Sequence, residues 1–425
     1  MNVEVFKFGG ASVNSAEGVR NVARILNHYP GRSMMLILSA IGKTTNAIEE
    51  ILHHYMAKDA ASMVERFYKV RDFHQGILEE LFADRSHPVF PEVEQLFESL
   101  REVLRTGPAG SYDETYDRVV CFGELVSTAI LHHFLSLEGI PNTLFPATGL
   151  IRTDSTFRDA RIDWRKTQLA IQRYLFPFFL GGKGNIGLTQ GFLGCDPEGR
   201  TTTLGREGSD FSAAIIGYCM RVKSITIWKD VPGVLNADPK WFEHPEKIDT
   251  LSFHEAVELA YYGATVIHPK TIKPLENANI TLYVKSFLNP EAEGTLVRAM
   301  DEWKISIPVF IRKENQLLIS ISPRDFSFIV EENLSQIFTI LANLHVKANV
   351  MQLSAISFSV CADHDPVKIK PLLLELKKAF EVRYNEGLTL YTIRHYNDDA
   401  IRRIISGREV LLEQKTRNTV HLVVK

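Results

Sequence analysis

The sequence predicts an α/β chain with a largely parallel central sheet, followed near residue 300 by a smaller α+β region. Three observations predict it. Continuous apolar runs, suited to strands covered on both faces, alternate with segments of helical period as far as about residue 298. Those strands end repeatedly in loops of glycine, serine and threonine, at the edge where open α/β sheets bind ligands. From Ile307 the order becomes β-α-β-β-α-β, the ferredoxin-like split arrangement.

The first strand, Val3 to Phe8, carries Lys7 near its end and runs into Gly9-Gly10-Ala11-Ser12-Val13. Strand, glycine turn and helix is the form that offers backbone N–H groups to a phosphate, and equally the form of a plain βα connection. Ser15 to Tyr29 is the helix that follows, with Val19, Val22, Ala23, Ile25 and Leu26 at helical spacing. Met34 to Leu38 is a covered strand ending in Ser39-Ala40-Ile41-Gly42-Lys43-Thr44-Thr45-Asn46, so two small-residue loops point at one crevice.

Glu49 to Phe82 and Glu92 to Arg105 read as amphipathic helices with solvated charged faces. Asp117 to Leu135 reads as one long helix in which Glu124 lies among Val119, Val120, Phe122, Leu125 and Val126. A carboxylate in so apolar a run needs a partner, either a structural lysine or arginine or a cationic ligand. A strand at Pro141 to Phe145, a loop at Thr148 to Asp159 and a strand at Gly184 to Gly191 continue the alternation.

Gly205-Arg206-Glu207-Gly208-Ser209-Asp210 then opens a helix at Phe211 to Cys219. Ser-Asp there can be a simple N-cap, and Arg206 beside a helix N-terminus can also recognise an acid. Ser224 to Trp228 is a strand leading into the loop Lys229 to Lys240. Ile248 to Gly263 reads as amphipathic, His268 as a packed loop histidine, Ile280 to Ser286 as a strand, and Gly294 to Arg298 as the close of the domain. In the tail, strands are expected at 309–311, 317–322, 348–353, 356–362, 381–384 and 388–394, with helices at 334–344 and 367–378. A second, shortened copy follows, with a helix at 398–406 and strands at 410–414 and 419–424, ending before a final helix and strand.

Composition bounds the possible partners. At 425 residues, 45% hydrophobic and 23% charged, the chain can form two or three ordinary globular domains. A formal net charge of −3 gives no basic footprint for nucleic acid or an anionic membrane. Cys121, Cys195, Cys219 and Cys361 are widely spaced without a C-x-x-C, which argues against a zinc ribbon or redox motif and fits a reducing compartment. No uninterrupted apolar stretch reaches the ~18 to 20 residues of a membrane span, and the opening residues lack the pattern of a signal peptide. The expected location is cytoplasmic.

Four motifs in order, Lys7 to Val13, Phe122-Gly123-Glu124-Leu125, Gly205 to Asp210 and Lys229 to Lys240, resemble those of the aspartate kinases of the amino-acid kinase family, and the similarity covers nearly the whole chain. The resemblance implies a three-layer amino-acid kinase sandwich over residues 1–300 and ferredoxin-like ACT domains over 301–425, one complete and one shortened. It implies transfer of the γ-phosphate of MgATP to the side-chain carboxylate of L-aspartate, giving 4-phospho-L-aspartate, at the entry to lysine, threonine and methionine biosynthesis. Such a carboxylate, with a reference pKa of ~3.9, is already an ionised nucleophile, so the site must chiefly position anions and stabilise charge.

By the same resemblance, Lys7 and Asp210 are the catalytic residues, Asp210 holding the phosphate-binding cations. Ser39, Thr45, Glu124, Arg206 and Ser209 bind aspartate, with Glu124 on its α-ammonium and Arg206 on its α-carboxylate. Lys7, Phe8, Gly9, Gly10, Ser12, Lys229, Asp230, Leu235, Lys240, Thr265 and Val266 bind ATP, with Mg²⁺ carried on the nucleotide rather than in a protein metal site. ACT modules imply a homodimer. The departures are Ala11 for threonine, Glu207 for glycine, Lys229 for threonine, Leu235 for tyrosine, Lys240 for arginine, and Thr265 for a second phosphate-binding lysine. Lys229 or Lys270 is expected to supply the missing charge. Val330-Glu331-Glu332-Asn333 and Met351 occupy the places that hold lysine in lysine-sensing members, so weak or absent lysine inhibition is expected. Alternatives are a kinase of glutamate or acetylglutamate, and a non-catalytic amino-acid sensor.

Overall fold

The computed structural model describes every residue except 1, 109, 265–266, 301–306 and 326. It divides into two compact units. One comprises Met1–Val234, Lys247–Val257 and Thr265–Asp301, and the other Leu235–Glu246, Glu258–Ala264 and Glu302–Lys425.

In chain order the first unit begins β1 (Val3–Phe8), α1 (Ala16–Asn27), β2 (Ser33–Leu38), α2 (Thr44–Met56), α3 (Ala60–Leu81), α4 (Val89–Arg105), α5 (Tyr112–Val120) and α6 (Phe122–Leu137). It continues β3 (Asn142–Leu144), α7 (Ala147–Leu150), α8 (Trp164–Leu180), β4 (Ile186–Gln190), β5 (Leu193–Cys195), β6 (Thr201–Thr203), α9 (Gly208–Met220) and β7 (Ser224–Lys229). β8 (Thr250–Ser252), α10 (Phe253–Tyr262), α11 (Pro269–Asn277), β9 (Thr281–Ser286) and β10 (Thr295–Arg298) follow, with α10 divided between the units at Val257 and Glu258.

The eight-stranded sheet has the order β3-β4-β2-β1-β7-β9-β10-β8, parallel throughout except for β9 against β10. β1 is central, with Phe8 level with Leu38 on one side and Trp228 on the other. The carboxyl ends of β1, β2 and β7 therefore converge, as the two loops after β1 and β2 predict. Phe8 stacks on Trp228 at 6.1 Å and 7°, and Phe6 meets the same indole edge-on at 5.6 Å. Each such fully buried ring contributes roughly 1.5–3 kcal/mol of apolar transfer, and together they anchor the strand that carries Lys7.

Several boundaries differ from the periodicity. The single helix expected over Glu49 to Phe82 is two: Lys58 turns left-handed (φ +59°) and Asp59 caps α3 through the Ser62 N–H. The expected helix over Asp117 to Leu135 begins five residues earlier and is divided at Cys121 into α5 and α6. Together Tyr112–Leu137 is long and apolar enough to cross a membrane, but it is mostly buried as the core of this unit. α8, the β5–β6 hairpin and the short α7 have no counterpart in the sequence reading. Ile248 to Gly263 supplies β8 before its helix, and His268 caps α11 through the Lys270 N–H.

The second unit contains β11 (Val309–Pro323), α12 (Glu331–Asn343), β12 (Ala348–Leu353), β13 (Phe358–Asp363), α13 (Pro366–Ala379), β14 (Phe380–Arg394), α14 (Asp398–Ile405), β15 (Val410–Lys415) and β16 (Thr419–Val424). Its antiparallel sheet has the order β12-β13-β11-β14-β16-β15. Where paired short strands are expected, β11 and β14 are each continuous over 15 residues, and their pairing shifts register between Lys313 and Leu318. One end of each completes a ferredoxin-like half with β12 and β13; the other end pairs beside β16 and β15. The shortened second copy thus obtains its missing strand from Val309 to Lys313, ahead of the first copy. Non-local pairing of this kind is invisible to a periodicity read in chain order.

Candidate active site

The sheet edge opens into a cleft of about 550 Å³ lined by Lys7, Gly10, Ser39, Thr45, Glu124 and Arg206, together with Glu207, Ser209, Asp210 and Lys229. Its floor is Asp210, in the first turn of α9 and only 2% exposed. Lys7 Nζ, on a residue 8% exposed, lies 2.6 Å from Asp210 Oδ1, and Lys229 Nζ lies 3.7 Å from Oδ2. Burial alone would push the Asp210 carboxyl up, but the two ammonium groups outweigh it and hold the carboxyl below its usual range. The cluster carries net charge +1 beside the positive end of α9, an arrangement suited to anions.

The loop after β1 is packed tightly against the loop after β2. Gly42 N–H donates to Gly10 O at 3.0 Å and Ser39 N–H to Phe8 O at 3.2 Å. A Cβ on Gly10 would stand 2.6 Å from the backbone oxygens of both Ala40 and Gly42, so only glycine fits. The Phe8 side chain belongs to the core and can contribute only backbone to a ligand. Ser12 is buried, its Oγ 3.5 Å from Trp228 O.

Glu124, on α6 and 3% exposed, accepts from Ala40 N–H through Oε1 at 3.3 Å, while its Oε2 is buried with no hydrogen-bond partner among the described residues. Burial pushes its carboxyl up to about 8. The open question of its partner is thereby narrowed, since no lysine or arginine pairs with it among the described residues. Arg206 is exposed in the cleft and makes no ion pair among the described residues. Ser209 is buried against Gly191, where a Cβ would meet its own at 2.5 Å. Glu207 precedes α9 in the left-handed region (φ +54°), a backbone cost of about 1–2 kcal/mol for an L residue, and its Oε2 is likewise buried without a hydrogen-bond partner among the described residues.

Asp230, Leu235 and Lys240 are not among the residues that line this cleft. Asp230 is exposed and lines a neighbouring cavity with Asn14, Arg66 and Phe73. Leu235 and Lys240 fall in the segment that belongs to the second unit, where Lys240 is exposed and its N–H donates to Asp238 Oδ1 at 2.9 Å. Thr265 and Val266 lie outside the described residues. Lys270 forms an ion pair with Asp159, so of the two lysines expected to supply charge, Lys229 is the one at Asp210.

The cleft also contains Glu49, Tyr116, Phe192 and Arg158, which sequence reasoning missed. Arg158 is left-handed (φ +64°), with its guanidinium 4.5 Å from the Tyr116 ring centroid and 3.2 Å from Asp113. Its backbone N–H is held by both oxygens of the buried Asp117 at 3.0 and 3.1 Å. Asp117 also accepts from Thr203 N–H at 2.7 Å and Thr203 Oγ1 at 2.6 Å. These are structural bonds between distant segments, and on a helix that also carries Asp113, Glu114 and Arg118 nothing local to Asp117 signals them.

A parallel sheet whose central strand delivers a lysine and a glycine turn to an anion-binding cleft places the chain among the α/β enzymes that handle phosphate. The chain belongs to the amino acid kinase family, whose model matches residues 2–286. It is similar to lysine-sensitive aspartokinase 3 of Escherichia coli (strain K12), 28% identical over 96% of this chain and 90% of that protein. It is also similar to the chloroplastic aspartokinase 1 of Arabidopsis thaliana, 32% identical over 84% of this chain, which spans 63% of that longer protein. Among solved structures, E. coli aspartokinase III in complex with aspartate and ADP superposes with a TM-score of 0.82 at 25% identity, over 99% of this chain and 96% of the other.

Proposed function

We infer that this chain is an aspartate kinase, transferring the γ-phosphate of ATP to the side-chain carboxylate of L-aspartate. The observation that carries the reading is the cleft itself: two lysines bracket a buried aspartate at one end, and the rest is lined by a buried glutamate with one oxygen unpartnered and an arginine without an ion pair, both among the described residues. A phosphate-rich nucleotide and an acid of both charge signs match these groups one for one. Lys7, Lys229 and the Gly9–Gly10 backbone take the phosphates, with Asp210 fixing both ammonium groups. Glu124 takes the α-ammonium and Arg206 the α-carboxylate, with Ser39, Thr45 and Ser209 as further donors, so the side-chain carboxylate is left to face the phosphate.

Mg²⁺ enters on the nucleotide. Such an ion keeps several waters and binds largely through substrate phosphates. When bound, it neutralises charge on the transferring group. Residues 1–300 are the catalytic domain and 301–425 the ACT-type regulatory region, through which the chain forms a homodimer. The location is the cytoplasm.

ADP release measured over a panel of aspartate, glutamate and acetylglutamate tests the acceptor. Turnover with aspartate that vanishes in Lys7→Ala supports this reading; a preference for another acid, or no turnover at all, overturns it.

A further inference from the structure

Glu207 combines two features that a solvated loop glutamate does not need. It adopts a left-handed backbone, and one carboxylate oxygen is buried with no hydrogen-bond partner among the described residues. Its place is tightly defined by its neighbours. A Cβ on Gly205 would stand 2.4 Å from Asp159 Oδ1, and one on Gly208 would stand 2.5 Å from the Phe192 ring. Unpaired buried oxygens and strained backbone at a cleft residue point to a ligand group.

The group that completes it must be a hydrogen-bond donor, and the carboxylate's charge favours a cationic one. Among the described residues no donor reaches Glu207 Oε2: Lys7 and Lys229 lie at Asp210, and Arg158 pairs with Asp113. An ammonium group has three N–H donors, and the buried Glu124 Oε2 in the same cleft provides one acceptor. We propose that Glu207 is the second acceptor for the substrate's α-ammonium group, which is held between Glu124 and Glu207, making Glu207 a specificity residue that separates an amino diacid from its deaminated analogue. This rests on the aspartate kinase reading.

The test compares wild type, Glu207→Gln and Glu207→Gly with aspartate, with succinate, and with ATP varied at saturating aspartate. Glycine accepts the left-handed backbone without strain, so a melting temperature for Glu207→Gly no lower than wild type shows that any kinetic loss is local. The expected result is a rise in KM for aspartate of about tenfold or more in both variants, the range of a lost hydrogen bond to a charged group. KM for ATP should stay within about twofold, and the preference for aspartate over succinate should fall by the same factor as aspartate binding. An aspartate KM within about twofold of wild type in both variants overturns the proposal, as does an ATP or Mg²⁺ requirement that rises in parallel. Failure of the kinase reading looks different, because wild type then shows no turnover with aspartate. Calorimetric titration of wild type and Glu207→Gln with aspartate and succinate then decides: amino-selective binding lost in the variant sustains the ammonium site, and binding that is equal in both refutes it.

Discussion

Lys229 Nζ lies 3.7 Å from Asp210 Oδ2, on the opposite oxygen from the one taken by Lys7. Two cations from adjacent strand ends are thus held apart by one carboxylate. Lys229→Met is expected to raise KM for ATP and lower kcat by about tenfold or more, since charge-assisted bonds to phosphate are worth ~1.5–3 kcal/mol. Lys270→Met should stay within a few-fold of wild type, because Lys270 pairs with Asp159. Equal losses in the two variants would contradict the assignment of Lys229.

Asp210→Asn removes the charge that compensates two lysines. Breaking a buried pair on one side costs about 3–5 kcal/mol, so the variant should melt well below wild type at low ionic strength, and added phosphate or ATP should recover more stability in it than in wild type. Urea midpoints with and without inorganic phosphate measure this.

Glu124 titrates against burial. Its folded value of about 8 lies above an unfolded value of ~4.3. Between those limits the folded state holds the extra proton. The stability this gives is therefore fully present below the unfolded value and is lost as pH rises through about 8. Glu124→Gln should flatten that dependence and be more stable than wild type at pH 8.5 relative to pH 6. Aspartate binding needs the ionised form, so KM for aspartate in wild type should fall as pH rises from 6.5 to 8.5. A flat profile would place the ammonium elsewhere.

Neighbouring glycines should fail differently. Gly10→Ala sets a methyl 2.6 Å from two backbone oxygens, and overpacking of this kind costs about 1–3 kcal/mol, read as a fall in melting temperature. Gly9→Ala meets only Lys7 Nζ, at 3.3 Å. It should fold normally and lose activity by displacing that ammonium.

In the second unit, Val330 and Met351 are exposed apolar residues, at the start of α12 and on edge strand β12. Met351 offers no charge to a lysine ammonium, Val330 is bulky, and the carboxylates of the segment, Glu331 and Glu332, are exposed in the first turn of α12. Half-maximal inhibition by L-lysine is expected only above ~1 mM, the low end of small-molecule affinity; inhibition at micromolar lysine would be inconsistent with this surface.

Much of the site was legible because its chemistry is local. Lys7 with Gly9–Gly10, Glu124 amid apolar neighbours and the Gly205–Asp210 turn each advertise themselves within a few residues. What stayed hidden is set by contacts far apart in the chain. Asp117 is a helix carboxylate until Thr203 and the Arg158 N–H reach it, and nothing near Arg158 says that its ring partners face the cleft. The break at Lys58 depends on a left-handed residue that is not glycine, and Val309 to Lys313 pairs with strand residues about 80 positions later, at Leu390 to Arg394. Periodicity carries neither kind of information.

Because β11 is unbroken, Phe310 and Ile319 belong to different halves of the sheet yet to one strand, spanning ~50 Å in all at about 3.4 Å per residue. Neither half can be excised as a module. A fragment beginning after Pro323 would leave β14 exposed along the edge that β11 covers, inviting self-association. Amide exchange should report the same unity: the protons of both ends of β11 should become accessible in a single cooperative opening, so that loosening one half is felt across the whole plate.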